Sequence, residues 1–212
     1  MKSFGNVLII GDSYSTFKGF NPDGYAYWYP QCESKPPKTD VEKVSETWWH
    51  QLISETESNL ILNESYSGST VCSTERESIP GTHFNLRADR MISNGFFKKN
   101  RIDTIFIFGG TNDSWIDSPI GDIKYDQITE DDIKMILPAF SALISKLKAA
   151  SPNSRIIPLI NCDIKNAVAD GFEEICRHYE LTYIKFETID KLFGHPNRKG
   201  MKQIKDAVKN IL

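Results

Sequence analysis

The sequence predicts a three-layer α/β/α sandwich built on a five-stranded parallel sheet. Two observations carry that expectation. Five apolar runs of strand length recur along the chain, and longer stretches of helical period separate them. The runs are continuous rather than alternating in polarity, the pattern of strands covered on both faces. At roughly 150 residues per domain, the 212 residues are expected to form one domain spanning 1–212.

The first strand is predicted at residues 6–10, through Val7, Leu8, Ile9 and Ile10, and it ends abruptly in Gly11, Asp12 and Ser13. A helix over 47–55 puts Trp48, Trp49 and Leu52 on one stripe. The second strand, 59–63, runs into Ser67, Gly68, Ser69 and Thr70, and the third, 103–108, into Gly109, Gly110, Thr111, Asn112 and Asp113. Over 131–150, Ile133, Leu137, Phe140, Leu143, Ile144 and Leu147 recur at helical spacing. The fourth strand, 155–160, contains Pro158, which cannot donate to a ladder, so a distortion is expected there. A helix over 168–179, a fifth strand over 181–186 and a last helix over 199–212 complete the alternation. Right-handed crossovers then give a flavodoxin-like arrangement. Two inserts interrupt it. Residues 16–46 are rich in glycine, proline and aromatic side chains, and 72–101 contain Pro80, Gly81 and a helix predicted from Phe84 to about Gly95. Inserts of this length are usually functional loops or linkers.

Composition excludes several classes of function. With 25 Lys+Arg against 28 Asp+Glu, signs interspersed, the chain lacks the basic cluster that nucleic acid requires. The first apolar run has four residues, too few for a signal segment or a membrane span. With residue 1 as the natural start, the cytoplasm is expected; a removed leader would move the protein to the periplasm or outside the cell. Cys32, Cys72, Cys162 and Cys176 form no CxxC and have no histidine at ligand spacing, so reduced and mostly buried thiols are expected and no metal site. The oligomeric state is not legible.

In an open parallel sheet the ligand site lies beyond the carboxyl ends of the strands. The turns at 11–13, 67–70 and 109–113 should therefore converge. His195, which precedes Pro196 and so favours extended backbone, sits on a loop where it could reach Ser13. Taken singly, each residue has an ordinary structural reading: Ser13 as a helix cap, the glycines as turn residues, Asn112 as an Asx-turn and His195 as a surface histidine. Their joint occurrence points to chemistry. Asp12 is expected to brace the first turn, His50, His83 and His178 to be structural, and Trp48 and Trp49 to be core. Arg87 and Arg90 are expected on a solvated face, with an anionic substrate as the alternative. Tyr14, Trp28 and Trp115 are candidate walls of a pocket, whereas Tyr25, Tyr27 and Tyr29 could equally pack the long insert.

Here the sequence resembles the SGNH hydrolases, the superfamily of GDSL-type esterases and lipases, named for a Ser, a Gly, an Asn and a His in four ordered blocks. Gly11, Asp12, Ser13, Tyr14 and Ser15 match the first block, with Tyr14 where the signature has leucine. Asn63 to Gly68 look like the second, Gly109 to Asp113 match the third, and His195, Pro196, Asn197 and Gly200 look like the last. The resemblance implies Ser13 as nucleophile and His195 as general base and then acid. It implies an oxyanion hole from the Ser13 and Gly68 N–H groups and the Asn112 amide, and no cofactor. The sequence departs at one position. The family has an aspartate three residues before the histidine, where this chain has Leu192. The nearest acid, Asp190, is the candidate third member; the alternative is a Ser–His dyad oriented by a backbone carbonyl or water.

By this resemblance the chain is a serine esterase acting on a small-molecule or glycan ester. The polar inserts show no long acyl channel and favour a short acyl group such as acetyl on a sugar. The rival readings are a catalytically weak glycan-binding or phosphate-ligand-binding protein of flavodoxin-like fold, and an acyltransferase using the same residues.

Overall fold

Alternate residues of the central strands sort into two apolar layers, because successive side chains of a strand point to opposite faces. The computed structural model describes residues 3–31, 37–74 and 81–212. Strands β1 (Asn6–Gly11), β2 (Asn59–Ser65), β3 (Thr104–Gly109), β4 (Arg155–Ile160) and β5 (Ile184–Lys185) form one parallel sheet in the order β2-β1-β3-β4-β5. On one face Leu8, Ile10, Ile105 and Ile107 pack with helices α2 (Phe84–Ser93), α5 (Ile136–Ala150) and α6 (Asn166–His178). On the other, Val7, Ile9, Phe106 and Phe108 pack with α1 (Trp48–Glu55) and α7 (Arg198–Lys209). This is the three-layer sandwich expected from continuous apolar strands. Short helices α3 (Phe96–Lys99) and α4 (Thr111–Trp115), and an antiparallel hairpin of β6 (Lys191–Leu192) and β7 (His195–Pro196), add to the predicted set. No helix among the described residues is long and apolar enough to cross a membrane.

Three local expectations are corrected. Pro158 does not break β4, whose register with β3 runs unbroken from Arg155 to Ile160. Pairing with β5 involves only Leu159 and Ile160, so the missing N–H forfeits no bond on that side. The irregularity lies instead between Val7 and Leu8, where β2 inserts Ile61 without a partner. Second, the helix predicted over 131–150 is split. The Asp132 carboxylate accepts from Lys124 Nζ and from both the N–H and hydroxyl of Thr129, folding Asp132–Lys134 into a separate 3-10 turn before α5. Third, the fifth strand is only two residues long, because Leu181 and Tyr183 turn onto the α5–α6 layer.

The described part of the 16–46 insert is tied down over the carboxyl ends of β1 and β2. Asn21 accepts from the Phe17 N–H and donates to the Asn63 and Ser65 carbonyls. Ser67 N–H donates to the Ala26 carbonyl. Trp48 and Trp49 are core, as expected, and both indoles donate to Ser15, to its hydroxyl and its carbonyl respectively. Cys72 and Cys176 are buried and Cys162 partly so, while Cys32 lies outside the described residues.

Arg87 is not on a solvated face: it is fully buried, while Arg90 is exposed. The Arg87 guanidinium donates to the carbonyls of Thr82, Glu64 and Gly11 and to Ser69 Oγ, clamping α2 to the ends of β1 and β2. Replacing it with methionine removes the one buried donor these four acceptors share. Arg87→Met is expected to lower unfolding free energy by about 3 kcal/mol or more, read from the midpoint of chemical denaturation.

Candidate active site

Where β1 ends, the chain makes a single 3-10 turn over Ser13–Ser15, with Asp12 as its cap. Asp12 Oδ1 accepts from Tyr14 N–H at 3.0 Å, so this aspartate braces the turn as expected. Its carboxyl is fully buried, Oδ2 has no partner among the described residues, and burial pushes its pKa up to about 7 despite the Tyr14 bond, with Asp113 adding to the rise. Asp113, on α4 after β3, accepts from the N–H groups of Val71 and Cys72. That fixes the loop after β2 against the loop after β3. Asn112 completes the tie, donating from Nδ2 to the Ser69 carbonyl at 2.9 Å. Between them Gly68 takes a φ of +88°, a conformation in which a side chain would be strained.

The histidine arrives on the β6–β7 hairpin. Its two-residue turn, Phe193 and Gly194, has positive φ at both positions (+49° and +74°), the pattern of a I′ hairpin. His195 Nε2 lies 3.0 Å from Ser13 Oγ, and Nδ1 lies 3.0 Å from the Phe193 carbonyl oxygen. A carbonyl can only accept, so Nδ1 carries the proton and Nε2 presents its lone pair to the Ser13 hydroxyl. Burial lowers the His195 pKa to about 4, the Phe193 carbonyl opposing the shift and the Lys191 charge adding to it. The resting imidazole is therefore neutral at pH 7.

The structure thus brings Ser13, His195, Gly68 and Asn112 to one edge of the sheet, but not Asp190. The Asp190 carboxylate is occupied by Asn197 Nδ2 and Lys199 Nζ at the start of α7. These two partners hold its pKa below the usual carboxylate range, Lys199 foremost. The assignment of Asp190 as partner of the imidazole is corrected: the hairpin turns His195 back on its own Phe193 carbonyl. Leu192 pairs with His195 across that hairpin.

The aromatic candidates separate into three roles. Tyr14 is fully buried; its hydroxyl donates to the Gly194 carbonyl at 2.7 Å and so supports the histidine turn from below. Trp115 is 48% exposed on the rim, its ring 5.7 Å from that of His195 at a steep angle. Trp28, half-buried, stacks face to face on the imidazole, with 3.5 Å between ring centroids and 7° between planes. Tyr25 packs on Tyr66 and donates to Glu64, Tyr29 donates to the Pro196 carbonyl, and Tyr27 is exposed. His83 caps α2 through Nδ1.

Two residues behind the histidine were not foreseen. Asn161 donates to Thr111 Oγ1 and to the Tyr14 hydroxyl, and accepts from Lys191 Nζ, which also pairs with Asp163. The strand-end rule that located the other turns applies to Asn161 as well, since it follows β4 directly. Among the described residues, no group of three or more His, Cys, Asp or Glu is placed to hold a metal.

Comparison with known proteins accords with this geometry. The sequence profile of the GDSL-like lipase/acylhydrolase family matches residues 5–212. A candidate GDSL-like lipase from Bacteroides ovatus is 37% identical, with a TM-score of 0.86 over 99% of this chain and 98% of its own. One from Bacteroides uniformis is 40% identical, with a TM-score of 0.84 over 98% and 95%. A family two carbohydrate esterase from Clostridium thermocellum, solved with cellohexaose, shares the fold at 13% identity, with a TM-score of 0.65 over all of this chain and 64% of its own. A search among curated proteins gave no match. A Ser–Gly–Asn–His constellation at the carboxyl edge of this sheet, within a profile match over nearly the whole length, has one meaning: the chain belongs to the GDSL-like lipase/acylhydrolase family and is an esterase.

Proposed function

We propose that the protein is a serine hydrolase that removes a short acyl group, in particular acetyl from a carbohydrate hydroxyl, through a Ser13–His195 dyad. The observation that carries this reading is the pair of 3.0 Å contacts on the imidazole, Nε2 to Ser13 Oγ and Nδ1 to the Phe193 carbonyl. Nε2 takes the Ser13 proton as Oγ attacks the ester carbonyl carbon. The carbonyl electron pair moves onto oxygen, where the Ser13 and Gly68 N–H groups and the second N–H of the Asn112 amide stabilise the oxyanion. One such donor elsewhere contributes about 3 kcal/mol. Collapse expels the alcohol, which takes the proton from Nε2, and leaves an acyl-Ser13. Water, deprotonated by the same nitrogen, then releases the acid and restores the serine.

Two features support the substrate class. Ser13 is only 3% exposed, and Trp28, Tyr14 and Trp115 enclose the imidazole beside it, a setting that favours a small acyl group. Outside it, the exposed rings of Trp115 and Phe193 offer flat apolar faces of the kind on which a pyranose packs.

Ser13→Ala is expected to lower hydrolysis of p-nitrophenyl acetate by roughly 10⁴-fold or more, with folding unchanged. Acetyl esters should be turned over faster than octanoyl esters of the same alcohol; the reverse order would refute the short-acyl reading. Only neutral His195 can accept the Ser13 proton, so kcat/KM should rise with pH through about 4 and be fully developed by pH 6. Asp190→Asn should leave turnover within about threefold of wild type, since its carboxylate serves the start of α7 and not the base.

A further inference from the structure

The unusual neighbour of His195 is Trp28. In a dyad, the imidazolium that forms when Ser13 gives up its proton has, among the described residues, no anion behind it. Its Nδ1–H meets only the neutral Phe193 carbonyl. The charged and titratable groups around it give no help. Lys191, whose Nζ lies 5.2 Å from the centre of the Tyr14 ring, is positive, and its own charge is engaged with Asp163. Tyr14, 5.5 Å from the imidazole at a steep angle, is a buried phenol whose pKa is raised well above its ordinary value, chiefly by burial. The side of the imidazole open to a favourable charge interaction is its flat face, and there the indole of Trp28 lies parallel at 3.5 Å.

The placement of that indole is built in several ways. Trp28 N–H donates to Thr16 Oγ1, Lys18 N–H to the Tyr29 carbonyl, and Tyr29 Oη to the Pro196 carbonyl on the histidine hairpin itself. The first two bonds hold the insert to itself around Trp28, and the third ties it to the hairpin. Among the described residues, the buried Trp28 Nε1 has no hydrogen-bond partner.

We propose that Trp28 is a positioning residue for the base: its π-face fixes the plane of the imidazole toward Ser13 and stabilises the imidazolium, the work an aspartate does in a triad. The proposal rests on the dyad reading above and adds to it the group that replaces the missing acid. The indole face carries a negative quadrupole, and a cation against it in a site sheltered from water gains more than one at the surface. The neutral imidazole gains far less, so the stack favours the charged state that accompanies the tetrahedral intermediate.

The experiment replaces Trp28 in the full chain with mono-, di- and tetrafluorotryptophan, which keep the shape and progressively empty the π-face. The His195 titration is followed by NMR, its resonance assigned by its loss in His195→Asn. The His195 pKa should fall along the series by about one unit, and kcat on p-nitrophenyl acetate by roughly tenfold with KM little changed. Trp28→Leu should lower the pKa further and Trp28→Phe restore part of it. If the indole only shields the ring, fluorination leaves both pKa and kcat unchanged and Trp28→Leu raises the pKa as water enters; either result overturns the proposal. The NMR arm is independent of turnover. A falling pKa in a protein that does not cleave the ester upholds the stack while the hydrolase reading fails, and a flat series in an active enzyme does the reverse.

Discussion

Ser13 and His195 stand 182 positions apart in sequence and must meet at 3.0 Å, a requirement that shapes most of the molecule. The parallel sheet meets half of it by releasing β1, β2, β3 and β4 at one edge, so the turns that follow them are neighbours. The other half is met by the hairpin before α7, which folds back over that edge. Tyr14 and Tyr29 each bond a carbonyl of the histidine strand or its turn, so the Ser13 segment and the insert behind it both hold His195 in place. Residues that look peripheral in sequence are therefore parts of one small support.

Beneath the support lies an unusual amount of buried polarity. Arg87, Asp12 and Asp113 are all fully buried within this edge of the sheet. Arg87 and Asp113 are matched to backbone groups, which turns their burial from a cost into a constraint on loop geometry. Asp12 is matched on one oxygen only, and its raised pKa shows that burial outweighs the bond it makes. Of the four buried polar atoms without a partner among the described residues, two, Asp12 Oδ2 and Trp28 Nε1, lie beside Ser13 and His195; the others are Asn85 Oδ1 and Ser118 Oγ.

The regular part of this architecture was legible because it follows from periodicity. Val7 to Ile10 and Ile105 to Phe108 read as buried strands, and their side chains divide cleanly between the two faces. The four site blocks were legible as a set because each follows a strand or precedes a helix. What escaped were features set by tertiary contact or by single dihedral angles. A positive φ at Phe193 turns the chain within two residues, and nothing in that side chain announces it. Counting acids upstream of His195 therefore led to Asp190, which the fold assigns to α7. Arg87 was misplaced because an arginine on a helix reads as solvated until the carbonyls that need it are seen. Trp28 was recognised as part of the site, but its parallel contact with the imidazole belongs to the geometry of the insert.

The hydrogen bond that sets the tautomer of His195 lies within one tight turn and uses main-chain oxygen. Point substitution cannot delete a carbonyl, whereas an aspartate is lost by a single nucleotide change. The tautomer of His195 is consequently insulated from drift at positions 192 and 193, provided the turn keeps its shape. Leu192 and Phe193 are both exposed, and their side chains are released from the proton chemistry. Lineages carrying this arrangement can vary the mouth of the site without disturbing its engine, which separates the evolution of substrate range from that of mechanism.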